Sequence, residues 1–187
     1  MNGTIELLDI HQTGTFEYFG SAPNRDLTTI TLSGGQIFQQ GCNGLTVWSR
    51  NAAGVTLASG DEWSDAVSDS DFYSEIHIRQ HSKGIMLAGE TEVNGHKAYT
   101  VIAPVRPNVD KRFFFDESTG LKLASDKITA GQNPEIVAQE FGDYRATGGV
   151  QIPFVLSTNK PKMIVHLTQV QWNVPIIDAM FNPPALK

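Results

Sequence analysis

The chain has 187 residues, 40% apolar and 18% charged, which suits a buried core and is too apolar for a disordered chain. Its net charge of -6 argues against a general binder of nucleic acid or anionic membrane, because such a protein presents a basic face. One cysteine excludes an intrachain disulfide, and no stretch approaches the roughly 18 apolar residues of a membrane span.

From the N-terminus, two-residue apolar periodicity predicts strands over 4–10, 13–19, 26–33, 36–41 and 45–51. Gly34-Gly35 and Asn43-Gly44 suit tight hairpins, since glycine and asparagine accept positive φ at low cost. Cys42 stands before one of these turns with no base beside it, which reads as a bystander thiol rather than a nucleophile.

Residues 59–81 break the pattern. Trp63, Ala66 and Val67 fall at helical spacing, and Ser68 to Asp71 has the form of a capping box that would start a second helix carrying Phe72, Tyr73 and Ile76. Acids cluster near these helix starts, where the macrodipole favours them. Asp65, Asp69, Asp71 and Glu75 lack the glycine and spacing of an EF-hand, so they read as a solvated face. His77 and His81 are four apart, on one face if helical; a surface pair is preferred there to a metal site.

Strand periodicity resumes over 84–93, 96–105, 111–116, 121–128, 136–146, 150–158 and 162–173. Asn94-Gly95, Arg106-Pro107-Asn108, the Asp116–Gly120 loop and Gln132-Asn133-Pro134 supply the turns between them. Pro153 cannot donate to a ladder and belongs at an edge, bulge or gap. Phe113 and Phe115 face one way and Phe114 the other; Met163, Val165 and Leu167 oppose Ile164, Val170 and Trp172. A sheet with one wet face does not need this, so part of the second face must be covered by helix, partner or ligand. The expected fold is mainly β (α+β): one strongly curved antiparallel sheet of about eleven or twelve strands, with a helical insert at about 60–80 against its concave face. A single domain over 1–187 is expected, with no internal repeat or linker.

No nucleophile elbow, zinc-protease motif, P-loop, dinucleotide fingerprint or Cys-x-x-Cys is present. His11, His96 and His166 look isolated. Tyr144 and Arg145 read as a packing ring and a rim charge, with Arg145 or Asp143 the weaker candidates for a polar contact at a cavity mouth. An enzyme is the least favoured class; it needs Ser, His and Asp to converge from distant strands. No cofactor and no metal are expected.

Four segments in order carry a resemblance: G-x-x-x-V-N-G-x-x-A-Y-x-V (Gly89 to Val101), F-F-D-E-S-T-G-L (Phe114 to Leu121), D-Y-R-x-x-x-G-V-x-I-P-F (Asp143 to Phe154) and N-V-P-I-I-D-A-M-F-x-P-P (Asn173 to Pro184). With T-G-T-F-E-Y-F-G-S-A-P-N-R and N-G-L-T-V-W upstream, the chain resembles the LolA-like outer-membrane lipoprotein-sorting superfamily, and within it the bacterial exported domains of that type. The resemblance implies an unclosed half-barrel whose helices lid an apolar cavity that takes acyl chains in the carriers. It also implies a periplasmic or envelope location and a helix before the first strand. Here Met1-Asn2-Gly3 runs straight into a strand without a signal peptide, which reads as an excised or mature piece of a longer exported protein.

The aromatics Phe16, Tyr18, Trp48, Trp63, Phe72, Phe113, Phe115, Phe154 and Trp172 suffice to line a pocket of ligand size; as plain core they serve equally well. The first functional expectation is therefore a non-catalytic envelope domain sheltering a lipid, a lipoprotein acyl chain or another hydrophobic ligand. The alternative is a protein-interaction module of a larger exported protein, with an envelope partner and no small ligand.

Overall fold

The computed structural model describes residues 1–74, 76–82, 84–131 and 134–185. Thirteen strands dominate: β1 (Asn2–Leu7), β2 (Gln12–Ser21), β3 (Arg25–Leu32), β4 (Ile37–Asn43), β5 (Val47–Asn51), β6 (Gly54–Leu57), β7 (Met86–Val93), β8 (His96–Arg106), β9 (Val109–Asp116), β10 (Lys122–Thr129), β11 (Glu135–Thr147), β12 (Val150–Asn159) and β13 (Lys162–Gln169). Two helices, α1 (Gly60–Asp69) and α2 (Ile78–His81), separate β6 from β7. The strands form one antiparallel sheet in the order β6-β5-β4-β3-β2-β1-β13-β12-β11-β10-β9-β8-β7, with β6 and β7 at its two ends, so it is not closed into a barrel. Strands consecutive in the chain are neighbours in the sheet except β6 and β7, and β1 adjoins β13.

Turn chemistry explains this meander. Asn94 (φ 51°) and Gly95 (φ 82°) are both left-handed, the primed-turn geometry whose twist matches flanking antiparallel strands. Gly148 (φ 61°) and Gly149 (φ 85°) do the same between β11 and β12. Asp143 takes φ 51° where pairing steps from Gly142↔Val155 to Tyr144↔Pro153, so Pro153 does sit beside an irregularity.

Three expectations need correction. The sheet has thirteen strands rather than eleven or twelve, because β6 is a four-residue strand returning from β5 over Ala52-Ala53, too short to show an alternating pattern of its own. The last strand stops at Gln169, so Trp172 lies beyond it. The second helix begins at Ile78 rather than Ser68, because α1 runs on through Asp69 and Ser70 closes it with a backbone bond to Ala66. Glu75 and the turn residues Gln132 and Asn133 lie outside the described residues.

The chain divides into two compact units. Unit 1 comprises Met1–Ile76 with Val165–Lys187, and unit 2 comprises His77–Ile164. The core of unit 1 gathers Leu27, Trp48 and Phe181, with Phe19, Val55, Ile176 and Met180 packed on it. Gly41 is the cross-strand partner of Trp48, and the indole occupies the space a Cβ there would need, 2.7 Å from ring carbons. The 3-10 turn Asp178–Phe181 folds back onto this core: Trp48 Nε1 donates to the Phe181 carbonyl at 2.8 Å, and Arg25 pairs with Asp178 at 2.7 Å. Burial of this kind stabilises by about 1.5–3 kcal/mol per large apolar side chain.

α1 buries no residue fully. Hydrogen bonds tie this region to unit 1: Trp63 Nε1 donates to the carbonyl of Leu45 in the β4–β5 turn at 2.9 Å, and the Ser70 hydroxyl that follows α1 donates to Asp26 in β3 at 3.2 Å. The helical lid expected from sequence is not among these contacts.

In unit 2, Ala98, Ala103, Val109, Ala124 and Phe154 are buried. The cross-strand partners Arg112 and Asp126 form a forked ion pair, Nε to Oδ1 at 2.8 Å and the terminal nitrogen to Oδ2 at 2.6 Å. Two parallel charge-assisted bonds fix the β9–β10 register as well as adding energy.

Candidate ligand-binding site

The aromatic-rich sequence of β9 builds the best-formed candidate, and it lies wholly within unit 2. Phe113 and Phe115 are two apart on a strand and so share a face. Their rings stack, with centroids 6.3 Å apart and planes at 24°. On one side Phe113 opposes Val101 and Phe115 opposes Tyr99. On the other, Phe115 opposes Lys122, because a register shift between Lys122 and Ala124 brings the lysine into that row. The Lys122 ammonium lies 5.9 Å from the Phe113 ring centre and 4.4 Å from that of Phe141 on β11. Tyr144 holds the same corner by donating its phenol proton to the Lys122 carbonyl. One face of the β8–β11 region thus carries Tyr99, Val101, Phe113, Phe115 and Phe141, with the Lys122 ammonium against Phe113 and Phe141. Phe113, Phe115 and Phe141 are half-buried rather than packed away. The alternate face of β9 and β10 bears Arg112, Phe114, Ala124 and Asp126, with Ala124 and Asp126 buried. Apolar burial on both sides of β9 is what its Phe-Phe-Phe sequence predicts.

The other aromatics singled out by sequence occupy several settings. Phe154 is buried, with the Arg145 guanidinium 4.4 Å from its ring centre. Arg145 also pairs with Asp143 through two of its nitrogens, and both side chains remain largely exposed. In unit 1, Phe16 and Tyr18 are half-buried at alternate positions of β2, and Trp48 is in the core. Trp63 is 40% exposed, Phe72 is exposed and meets Tyr73 edge-to-face at 5.2 Å, and Trp172 is exposed beyond β13.

Two carboxylates are strongly influenced by their surroundings. Burial raises the Asp26 carboxyl, opposed by the Ser70 hydroxyl and the Cys42 backbone N–H and reinforced by Asp69. Burial, with the charge of Asp26, pushes Tyr18 up to about 12. Asp116 is held well below the usual carboxylate range, first by the Ser118 hydroxyl at 2.5 Å and then by the Thr119 N–H at 2.8 Å. Its other oxygen meets His96 Nδ1 at 3.1 Å. Here the carboxylate stands between serine and histidine, whereas nucleophilic relay needs the histidine between serine and carboxylate. The arrangement organises a loop. Its sequence signal is Asp-x-Ser-Thr-Gly, an Asx-type turn followed by a left-handed glycine (Gly120, φ 70°).

Cys42 is buried, and its sulfur accepts from the Gly44 N–H at 3.4 Å. His77 caps the start of α2 and His81 ends it, with ring centroids 6.4 Å apart. Sequence reasoning did not single out Phe141 and Lys122, because their meeting depends on the β10 register shift. No described helix is long and apolar enough to cross a membrane.

No protein-family model and no curated protein matches the sequence. Solved structures do match in fold. A DUF1329 family protein from Desulfovibrio piger superposes with a TM-score of 0.63 at 15% identity, covering 97% of this chain and 87% of that one. A domain classed with outer membrane lipoprotein-sorting proteins from Vibrio parahaemolyticus gives 0.62 at 8% identity, with 97% and 87% covered. A LolA superfamily protein from Nitrosomonas europaea gives 0.63 at 6% identity, with 97% and 89% covered. The chain has a LolA-like fold, as the sequence resemblance implied.

Proposed function

We propose that this chain is a non-catalytic domain of the bacterial envelope that binds an acyl chain or another elongated apolar ligand. The observation that carries this reading is one face of unit 2, where half-buried Val101, Phe113, Phe115 and Phe141 adjoin the exposed Tyr99, on a sheet whose other side buries Ala98, Ala124 and Asp126. Aromatic rings of this kind supply large apolar area for a ligand tail. The LolA-like fold supports the same reading, since one neighbour of that fold is classed with outer membrane lipoprotein sorting. Fold likeness alone carries no function, so the weight rests on the face itself. Phe16, Tyr18 and the exposed Trp63, Phe72 and Trp172 remain further candidates for ligand contact, whereas Trp48 serves the core of unit 1.

The test is mass spectrometry of an organic extract of the purified protein against a mock preparation, with titration of a fluorescent fatty-acid probe. A stoichiometric lipid, or saturable probe binding weakened when Phe113 and Phe115 are both changed to Ala, supports the reading. An empty extract with no probe binding overturns it in favour of an interaction module without a small ligand. The exposed Met86 and Leu87 of the end strand β7 favour that second reading.

A further inference from the structure

We propose that His77 and His81 form a binding site for one divalent transition-metal ion of the zinc, copper and nickel class. Four residues apart is the spacing that places two imidazoles on one helix face, and here the turn is formed. His81 N–H donates to the His77 carbonyl at 3.2 Å, and Ser82 N–H to the Ile78 carbonyl at 3.1 Å. The histidines therefore stand one above the other on a hydrogen-bonded turn, and their ring nitrogens come within 4.8 Å of each other. Two imidazoles bound to one tetrahedral ion, with bonds of about 2.1 Å, place their nitrogens about 3.4 Å apart. Ring rotation closes that gap without moving backbone. His77 is half-buried and His81 exposed, so the pair lies within reach of solvent.

The donor chemistry selects the metal. Neutral imidazole suits zinc, copper and nickel, while magnesium and calcium require oxygen ligands. Water takes the remaining positions. The other histidines offer no such pair. His96 is engaged through Nδ1 with Asp116, His11 lies in the β1–β2 turn and His166 in β13. The site is independent of the lipid reading, since it lies on α2 rather than on the aromatic face.

Isothermal titration of the EDTA-treated full chain with zinc, and separately with copper, tests the proposal. The expected result is one equivalent bound, weakened at least tenfold in His77→Gln and in His81→Gln, and unchanged in a His11→Gln/His166→Gln double variant. Electron paramagnetic resonance of the copper complex should show hyperfine coupling from two imidazole nitrogens, reduced to one in either single variant. Far-UV circular dichroism identifies variants that fail to fold, and for those the spectrum of the wild-type copper complex decides. Absence of saturable binding, affinity undiminished in both single variants, or a copper spectrum without nitrogen coupling overturns the proposal.

Discussion

At the residue scale, Trp48 is the largest fully buried side chain among the described residues. It is 2% exposed, lies over Gly41, and its indole nitrogen satisfies the carbonyl of Phe181 in the returning C-terminal turn. Trp48→Ala removes the ring, opens a cavity and leaves that carbonyl without its donor, so a loss of about 3–5 kcal/mol is expected. Trp48→Phe keeps most of the apolar fill and loses the hydrogen bond, for about 1–2 kcal/mol. Urea denaturation of the two variants checks the order; equal losses would show that the bond to Phe181 contributes nothing. Asp116 offers a different signature, in pH. Its folded carboxyl is held below the ordinary value of 3.8 by Ser118 and Thr119, so the unfolded state binds protons more readily. Its stabilisation is therefore complete above that ordinary value and is lost as pH falls through the lower folded one. Asp116→Ala should lower the urea midpoint at pH 7, and the difference from wild type should shrink below about pH 4. A difference that stays constant with pH would assign the effect to packing. Asp26 carries the opposite sign, because burial raises it, and its own contribution grows more favourable as pH falls.

At the element scale, legibility follows what each local pattern can encode. Hairpins announced by Asn94-Gly95 and Asp116–Gly120 formed where read, because positive φ is a property of those residues themselves. The turn over Ala52-Ala53 is flanked by Asn51, which accepts from the Ala53 N–H, and by Gly54 at φ 131°, but the four residues of β6 beyond it are too few to show alternation. The helix limits in 60–81 were displaced because Ser68 and Asp71 satisfy a capping pattern that competes with simple continuation of α1. The site divides in the same way. The Phe113/Phe115 pair is visible from alternation alone, whereas Lys122 and Phe141 join it through a register shift that one strand's sequence does not contain. Trp48 looked like any other aromatic, since its role rests on a glycine in a neighbouring strand and a carbonyl 133 residues away. Close strand approach makes a prediction of its own. A Cβ at Gly14 in β2 would run into the Thr31 carbonyl and the Leu32 backbone of β3, whereas one at Gly34 meets nothing within 4 Å. Gly14→Ala must push two paired strands apart, at about 1–3 kcal/mol. Gly34→Ala should fall within about 0.5 kcal/mol of wild type. Chemical denaturation of the pair separates a steric cost at the ladder from a general glycine effect; equal shifts would remove the steric account.

At the scale of the whole molecule, a thirteen-strand sheet with two ends must keep those ends from pairing with other chains. β6 solves this by length, because four residues offer a short template. β7 has eight residues and exposes Met86 at 54% and Leu87 at 66%, which by itself would invite association. Two devices oppose it. Pairing with β8 shifts between Leu87 and Gly89, and Gly89 takes a φ of 113° that bends the edge away from a flat template. Beyond that bulge, Glu90 and Glu92 place exposed negative charge along the strand, so two copies meeting edge to edge set like charges against one another. The net charge of -6 adds a weaker, molecule-wide repulsion that salt screens. If the local charges do the protecting, replacing both Glu90 and Glu92 with Thr, a good strand former, should leave the fold intact and raise self-association as concentration increases. Size-exclusion chromatography with light scattering reads this directly, and circular dichroism reports the fold. A double variant as monodisperse as wild type at low and high salt would show that the bulge alone protects the edge, and would place the exposed Met86-Leu87 pair outside any route to self-pairing.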